Sequence, residues 1–595
     1  MTVNEKIKAL RTEMDKEGID FYLVITADPH LSEYVCEAYK TTEYISGFTG
    51  ENATVIVSKD EALLWADGRF FIQAEREIKG TEFKLMKMGE EGVPKVEKYL
   101  KDHLKEGLCL GFDGECLSVE DSEKYEAIAA ANKAKIDPKH DLIGRIWKNR
   151  PSLPMDKIWI LEEKYAGKSI KEKLGLIREK MDKKKADAHV LTDLPDIAWL
   201  LNLRGNDIEC SPIFMAFFCL DKNSATLYAD SAKVPEDVKA YLNDNGVGIK
   251  PYRAIYDDLK ESKAGSVLYD PEVLNKSLLD AFPKGAKGVK DTNPTNVEKA
   301  VKNDTEIENT IQAHIEDGLA VTRFIYWLKQ NLGNQEITEI SASDYLHEMR
   351  KKGKDFFELS FETIAAYGPN AAMMHYTATP ESYSVLKPEG FLLVDSGGQY
   401  YTGTTDITRT IVLGPLTDKM KEYFTVTLRS HIRLAMAKFP EGAIGQNLDA
   451  LSRGPVWDMG LDYRCGTGHG VGHVLNVHEG PQRFHWRVRS NSTVWALKPG
   501  MITTDEPGLY IEDEFGIRHE NELLCVKDEK TEYGQFLSFK NITVCPIDLE
   551  AVIPEMMTED EKAYLNDYHR HVYETLSPLM TDEEKEWLSH ETRSI

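Results

Sequence analysis

The sequence predicts a multidomain protein of mixed α/β and α+β class: two related α/β domains, residues 1–157 and 158–304, followed by a larger third domain, residues 305–595. Three observations lead there. The chain, at 595 residues, is several times longer than the roughly 100–200 residues of one domain. Its first half repeats one pattern of strands and helices. Its second half opens on a long helix and then alternates strand-like with helical runs.

In the first half, KIKALRTEMDKEG has charged and apolar residues at helical spacing, and FYLVITADPHLSEY, YISGFTG and ALLWADGRFF follow it. The same order returns as IKEKLGLIREKMDKKKA, AHVLTDLPDIAWL, LLNLRGN and ATLYADSAK. A charged helix, an apolar strand, a helix and further strands, repeated once, describe two α/β domains of similar build. Between the copies, IWKNRPSLPMDKIW carries two prolines that interrupt a helix and reads as a connector. The next boundary lies at DTNPTNVEKAVKNDTEIE. There Asn303 and Glu306 form an N-cap signature, and Ile307, Ile311, Ile315 and Leu319 keep a stripe at four-residue spacing. Beyond it EGFLLVDSGG, TRTIVLG, GMITTDEP and NELLCV read as strands. DKMKEYFTVTLRSHIRLAMAKF, NLDALSRGPVWDM and the acidic runs after Ile547 read as helices, the acidic charges facing solvent.

Composition narrows the function. A net charge of −26 with no Lys/Arg stripe argues against nucleic acid or an anionic membrane as partner. The N-terminal stretch lacks the apolar core of a signal peptide, and no apolar run approaches the ~20 residues of a membrane helix. Eight scattered cysteines without CxxC pairs make no disulfide framework, so a cytoplasmic location is expected.

The chemistry gathers around GTGHGVGHVLNVHEGP, residues 466–481, where alternating glycines mark a backbone that must approach something closely. Upstream, FLLVDSGGQYYTGTTDITRT supplies Asp395 and Asp406; the offset between them is odd, so the intervening GGQYYTG must turn the chain back as a hairpin. Downstream, TDEPGLY supplies Glu506 and GIRHENELL supplies Glu520. Four carboxylates and the imidazole of His469 suit hard or borderline divalent ions, and two such ions would neutralise the four negative charges.

These motifs, in this order, closely resemble the metallopeptidases of the pita-bread fold, and among them the long, three-domain Xaa-Pro aminopeptidases. The resemblance covers nearly the whole chain. It implies a C-terminal pita-bread catalytic domain, a curved antiparallel sheet backed by helices with two metal ions in its concave face. The family's typical ion is manganese, with cobalt or zinc as alternatives. By resemblance Asp395 binds one ion, Asp406 and Glu520 bridge, and His469 and Glu506 complete the second. A hydroxide shared by the ions attacks the carbonyl, and Glu506 carries the proton to the leaving nitrogen.

The resemblance also assigns residues that spacing alone would not. His375, in NAAMMHYTATPE, would by itself read as a core histidine; here it fits a contact to the scissile carbonyl. His478, in NVHEGP, fits the second substrate histidine, Tyr510 a support of the intermediate, and Arg518 a support of the metal carboxylates. Arg69, in WADGRF, resembles a first-domain motif that reaches a catalytic site or a domain interface. His473, His485 and His519 read as structural. One position departs from the family pattern: Cys465 stands where a substrate-lining histidine is usual, which predicts weaker substrate contact and altered selectivity or turnover. The implied substrate is a peptide with proline in second place, and the implied assembly a homodimer through the third domain. The rival readings are a prolidase-like dipeptidase, a pita-bread binding module without activity, and a two-metal phosphoesterase, the last opposed by the lack of an Arg/Lys clamp.

Overall fold

Two six-stranded sheets dominate the N-terminal half. In spatial order the first comprises Phe83–Lys87, Ala62–Ala66, Ala53–Ser58, Phe21–Ile25, Cys109–Phe112 and Lys135–Asp137; the second comprises Val247–Lys250, Ala225–Tyr228, Phe217–Asp221, Ala188–Leu191, Ser266–Tyr269 and Lys287–Lys290. In both, the pairings run parallel, antiparallel, antiparallel, parallel, parallel. The echo in the sequence is therefore a repeat of topology. The structure is a computed structural model that describes residues 1–487 and 494–595.

Strand periodicity explains why these sheets need cover on both faces. Along Phe21–Ile25, Tyr22 and Val24 enter one apolar cluster with Ile7, Leu10 and Met14 of the helix Val3–Glu17. Phe21 and Leu23 enter another with Tyr99 and Leu100 of the helix Val96–His103. Successive side chains point to opposite faces, so a continuous apolar run is buried from both sides. The two lobes are joined directly: His30 Nδ1 meets the Thr192 carbonyl at 2.9 Å and its Nε2 the Tyr252 hydroxyl at 2.8 Å, while Val119 N donates to Leu274 O at 2.9 Å. Residues 1–161, 168–209 and 213–295 form one compact unit, and the rest of the chain forms a second. The proline-bearing connector has no regular element between Ile146 and Trp159.

The second unit is built on the helix Asp304–Asn331, whose capping box joins Asn303 and Glu306. The predicted stripe is half-buried and flanks the buried face, which Thr310, Ala313, Asp317 and Val321 form. Ile307 and Ile311 pack on Val471, Ile502, Leu524 and Ile542, and Ile315 and Leu319 on the cluster around Phe391, Phe424 and Val544. All named strand pairings in this unit are antiparallel. Ile364–Tyr367, Phe391–Ser396 and Ile407–Val412 form one sheet. A larger sheet runs Lys438–Pro440, Gly534–Asn541, Asn521–Thr531, Ile502–Asp505, Gly468–Gly470, Glu479–Phe484. Helices Asp418–Ala435, Gly445–Asp458, Glu559–Leu576 and Asp582–Glu591 fall in the runs read as helical. One detail is corrected. Two acids of the C-terminal helices are buried, not solvated: Glu561 takes Arg429 and Arg433 at 2.9 and 2.7 Å, and Glu591 takes Lys329 at 3.1 Å. Charge runs cannot reveal which members meet a partner from elsewhere. No described helix is long and apolar enough to cross a membrane, and all eight cysteines are free thiols.

Candidate metal centre

Asp395 ends the strand Phe391–Ser396, which pairs with Ile407–Val412 so that Asp395 faces Thr408. Between them Gly398–Tyr400 and Gly403–Thr404 pair as the expected hairpin, and the chain doubles back to bring Asp406 beside Asp395. His469 is the middle residue of Gly468–Gly470, a strand held between Ile502–Asp505 and Glu479–Phe484. Its neighbours must be glycine. A Cβ on Gly468 would stand 1.9 Å from the Thr504 carbonyl oxygen, and one on Gly470 2.2 Å from that of Glu479. The GHG sequence lets two backbones close around a strand with a single side chain, the imidazole.

That imidazole is oriented. His469 Nδ1 lies 2.9 Å from the Gly470 carbonyl, which can only accept, so Nδ1 carries the proton and Nε2 is left as a ligand atom. Nε2 lies 3.4 Å from Asp406 Oδ2 and 3.4 Å from Glu506 Oε1. One ligand atom each from Asp406, His469 and Glu520 falls within 4.8 Å of the others. Glu520 is held by the Thr408 hydroxyl, which donates to its Oε2 at 2.6 Å.

The electrostatics call for cations. Burial, then the charges of Asp395, Glu506 and Glu522, push the Asp406 carboxyl well above the usual range against the pull of Arg518. Glu520 is raised in the same way by burial, then by Asp406, Glu506 and Asp395. Arg518 donates to Asp395 Oδ2 through one guanidinium nitrogen, to the Tyr510 hydroxyl at 2.6 Å, and to Thr408 Oγ1 at 3.1 Å. Asp395 Oδ1 is buried without a hydrogen-bond partner. One guanidinium among several buried acids leaves excess negative charge, and an oxygen-rich set with one imidazole fits divalent ions, which reverse these shifts.

The other predicted residues distribute as follows. The His478 ring stands edge-on to His469 at 4.2 Å between centroids. Tyr510 sits on the hairpin Gly508–Ile511/Phe515–Arg518, opposite Gly516. His375 is half-buried in a turn after the short helix Gly368–Ala372. Cys465 packs among Val426, Val456, Tyr463 and Leu509, its thiol pushed up to about 12 by burial and by Glu506. Arg69 belongs to the N-terminal unit, where its Nε and terminal nitrogen bind Asp67 at 3.0 and 2.8 Å. His473 is spanned by Thr310 Oγ1 at 3.1 Å and the Tyr165 carbonyl at 3.0 Å, and His519 packs edge-on to Phe424. Thr408 and Glu522 also join the cluster without a sequence motif to mark them. Glu522 Oε1 accepts from Asp406 N at 2.8 Å and its Oε2 lies 3.2 Å from His314 Nε2. Each follows a residue of the cluster, Asp406 or Glu520, by two positions, near the start of the strands Ile407–Val412 and Asn521–Thr531, and no motif marks either.

Known proteins resemble the chain along its whole length. The creatinase/prolidase N-terminal domain matches residues 6–145 and, in a second form, 149–306. Metallopeptidase family M24 matches residues 308–527 and the C-terminal region of peptidase M24 residues 535–595. A probable Xaa-Pro aminopeptidase P of Paracoccidioides brasiliensis is 37% identical over 615 residues, covering 100% of this chain and 99% of the relative. Aminopeptidase P2 of Arabidopsis thaliana is 36% identical over 100% of this chain and 89% of its own. Among solved structures, an X-prolyl aminopeptidase from Caenorhabditis elegans, described as a cytosolic enzyme with a di-nuclear active site, is 33% identical and covers 100% of both chains with a TM-score of 0.95. An Xaa-Pro dipeptidase from Bacillus anthracis shares the fold over 65% of this chain and 100% of its own, at 24% identity and a TM-score of 0.52. With its buried acids gathered on one imidazole and its likeness running the full length of both chains, the protein belongs to the M24 metallopeptidases, in the Xaa-Pro aminopeptidase P family.

Proposed function

We propose that the protein is a dinuclear metal-dependent aminopeptidase that releases the first residue of peptides with proline in second place. The observation that carries this reading is the approach of Asp406, His469 and Glu520 within 4.8 Å, in a chain with full-length Xaa-Pro aminopeptidase relatives. Asp395, Asp406, His469, Glu506 and Glu520 would hold two divalent ions, most simply Mn2+, with Co2+ or Zn2+ able to use the same atoms. When bound, the ions lower the pKa of a coordinated water into the neutral range and polarise the scissile carbonyl.

The chain's own residues do the rest. Glu506 accepts the proton of the attacking water and delivers it to the prolyl nitrogen, which must be protonated to leave. The Thr504 hydroxyl, 3.2 Å from Glu506 Oε1, helps hold that carboxylate in place. His375 and His478 donate to the carbonyl oxygen as negative charge develops on it. Burial raises the Tyr510 phenol above its ordinary range, and its oxygen already accepts from Arg518, so its proton remains available to the intermediate. Cys465 stands beside them where the family has a substrate-lining histidine. The scheme includes domains of 1–157, 158–304 and 305–595, a cytoplasmic home and a homodimer through the third domain.

The test is cleavage of an Xaa-Pro-Xaa tripeptide by metal-stripped protein reloaded with Mn2+, Co2+ or Zn2+, beside Glu506→Gln. Release of the first residue only after reloading, with the variant inactive though fully loaded, is expected. Cleavage confined to Xaa-Pro dipeptides would replace this reading with a prolidase, and two-ion protein inert toward both would end it.

A further inference from the structure

Outside the metal cluster one buried carboxylate stands apart. Glu339 opens the helix Glu339–Arg350, directly after its cap Thr338, and is fully buried. An acid at the start of a helix normally faces solvent and the helix dipole. Buried, it must be satisfied by donors at both oxygens. Those donors come from one segment. Tyr367 N donates to Oε1 at 2.7 Å, Ser384 N to Oε2 at 2.7 Å, the Tyr376 hydroxyl to Oε2 at 2.8 Å, and Asn370 Nδ2 reaches the two oxygens at 3.0 and 3.2 Å. The carboxylate thus ties the beginning, middle and end of residues 367–384 to a single point. His375 lies inside that segment, next to Tyr376.

The segment is also held from the opposite direction. Tyr376 and Met373 pack with Leu393, two residues before Asp395 on one face of the strand Phe391–Ser396. Ala371 lies against Gly516, where an added Cβ would stand 1.9 Å from the Ala371 carbonyl oxygen. Gly516 is two residues from Arg518 on Phe515–Arg518. The His375 segment is therefore closed between a buried charge and the two strands that carry Asp395 and Arg518.

We propose that Glu339 is a positioning residue: its carboxylate fixes the 367–384 segment so that His375 is already placed for the carbonyl oxygen before substrate arrives. This rests on the reading of His375 as a substrate contact. A positioned donor gains its advantage in the transition state, and small displacements are costly there, so the effect falls on kcat and little on KM. Gln at 339 keeps the shape but turns one acceptor into an amide donor facing other donors.

The experiment uses full-length, ion-loaded protein and an Xaa-Pro-Xaa tripeptide in a double-mutant cycle. Glu339→Gln is expected to lower kcat about 10- to 100-fold with KM within about threefold and bound-ion content unchanged. In a His375→Ala background the same substitution should change kcat by less than about twofold, because the positioned group is gone. An equal fall in both backgrounds, an unchanged kcat, or loss of ions would overturn the proposal. If Glu339→Gln does not fold, Tyr376→Phe removes one donor and should lower kcat about 3- to 10-fold only when His375 is present; no change would equally overturn it. Hydrogen exchange reads the anchoring apart from the chemistry: uptake across 367–384 should rise in Glu339→Gln while 502–511 and 518–524 stay protected. Should the parent protein fail to cleave the tripeptide, the aminopeptidase reading falls, and this exchange pattern alone decides whether Glu339 anchors the segment.

Discussion

The N-terminal unit and the metal centre of the second unit both bury charge, and they do so differently. In the N-terminal unit Lys233 is buried against Asp207, Lys173 donates to the Trp199 carbonyl and Asn202 Oδ1 at 2.9 and 2.7 Å, and Arg204 donates to the carbonyls of Ala198 and Leu203 at 2.9 Å. Each cation there finds an acceptor inside the protein. At the metal centre Asp395, Asp406, Glu520 and Glu522 are buried with Glu506 close by, and Arg518 is the guanidinium among them. The first arrangement balances its cations within the apoprotein, although Asp207 Oδ1 accepts no hydrogen bond. The second is complete only with ions, which is how a site built to bind differs from a core built to last.

The largest expected effect removes a ligand. Glu520→Gln should lower tripeptide cleavage by on the order of 10³-fold or more and reduce bound metal, measured by elemental analysis beside steady-state rates. Folding should survive, since a neutral amide relieves repulsion among the acids; a variant that kept both ions and its rate would break the comparison. The complementary change removes a partner from the N-terminal unit. Lys233→Met leaves Asp207 buried without its cation, held by the Met215 amide at 2.6 Å alone, and should cost about 3–5 kcal/mol in denaturant unfolding without altering metal content. A loss of metal there would erase the distinction between the two regions.

Protons probe the same contrast. Burial lowers His30 and His189 of the N-terminal unit from 6.5 to about 4, so at intermediate pH the unfolded chain binds protons that the folded unit refuses. Stability is then full above pH 6.5 and is lost as pH falls toward 4, by roughly 3 kcal/mol per histidine at most. Urea titrations at stepped pH, comparing the parent with His189→Gln, should show a shallower slope in the variant over that window. The smallest effect concerns Cys465. It sits in an apolar cluster beside Glu506's field, so Cys465→His should change kcat/KM for a proline tripeptide by only a few-fold, about 1 kcal/mol. Unaltered kinetics would mean this position does not contribute to selectivity.

Much of this was legible in the residues. The two copies of strand and helix runs anticipated two α/β domains of similar build, because apolar runs and turn residues are local signals; the strand order the two sheets share came only with the structure. Asn303, Glu306 and the isoleucine stripe likewise marked the long helix. Asp395, Asp406, His469, Glu506 and Glu520 stood out by residue type and motif. Thr408 and Glu522 did not, although they bond Glu520 and the Asp406 amide, because Thr and Glu are common and only packing shows which of them meet the cluster. Glu339 was invisible for a stronger reason. Its donors lie between Tyr367 and Ser384, and nothing near ITEISAS announces that an acid at the first position of a helix will be buried.

Taken alone, the sequence determined what depends on neighbours along the chain: element types, the internal repeat, the turn between Asp395 and Asp406, and the inventory of groups able to bind metal. The tertiary structure decided what depends on distance through space. It chose which oxygens face the His469 Nε2, gave Arg518 to Asp395 and Tyr510, and buried Glu339 against the His375 segment. The physical reason is that helix and strand preferences are short-range properties of the backbone, whereas charge burial and ligand geometry arise only when segments far apart in the chain are packed together and water is excluded from between them.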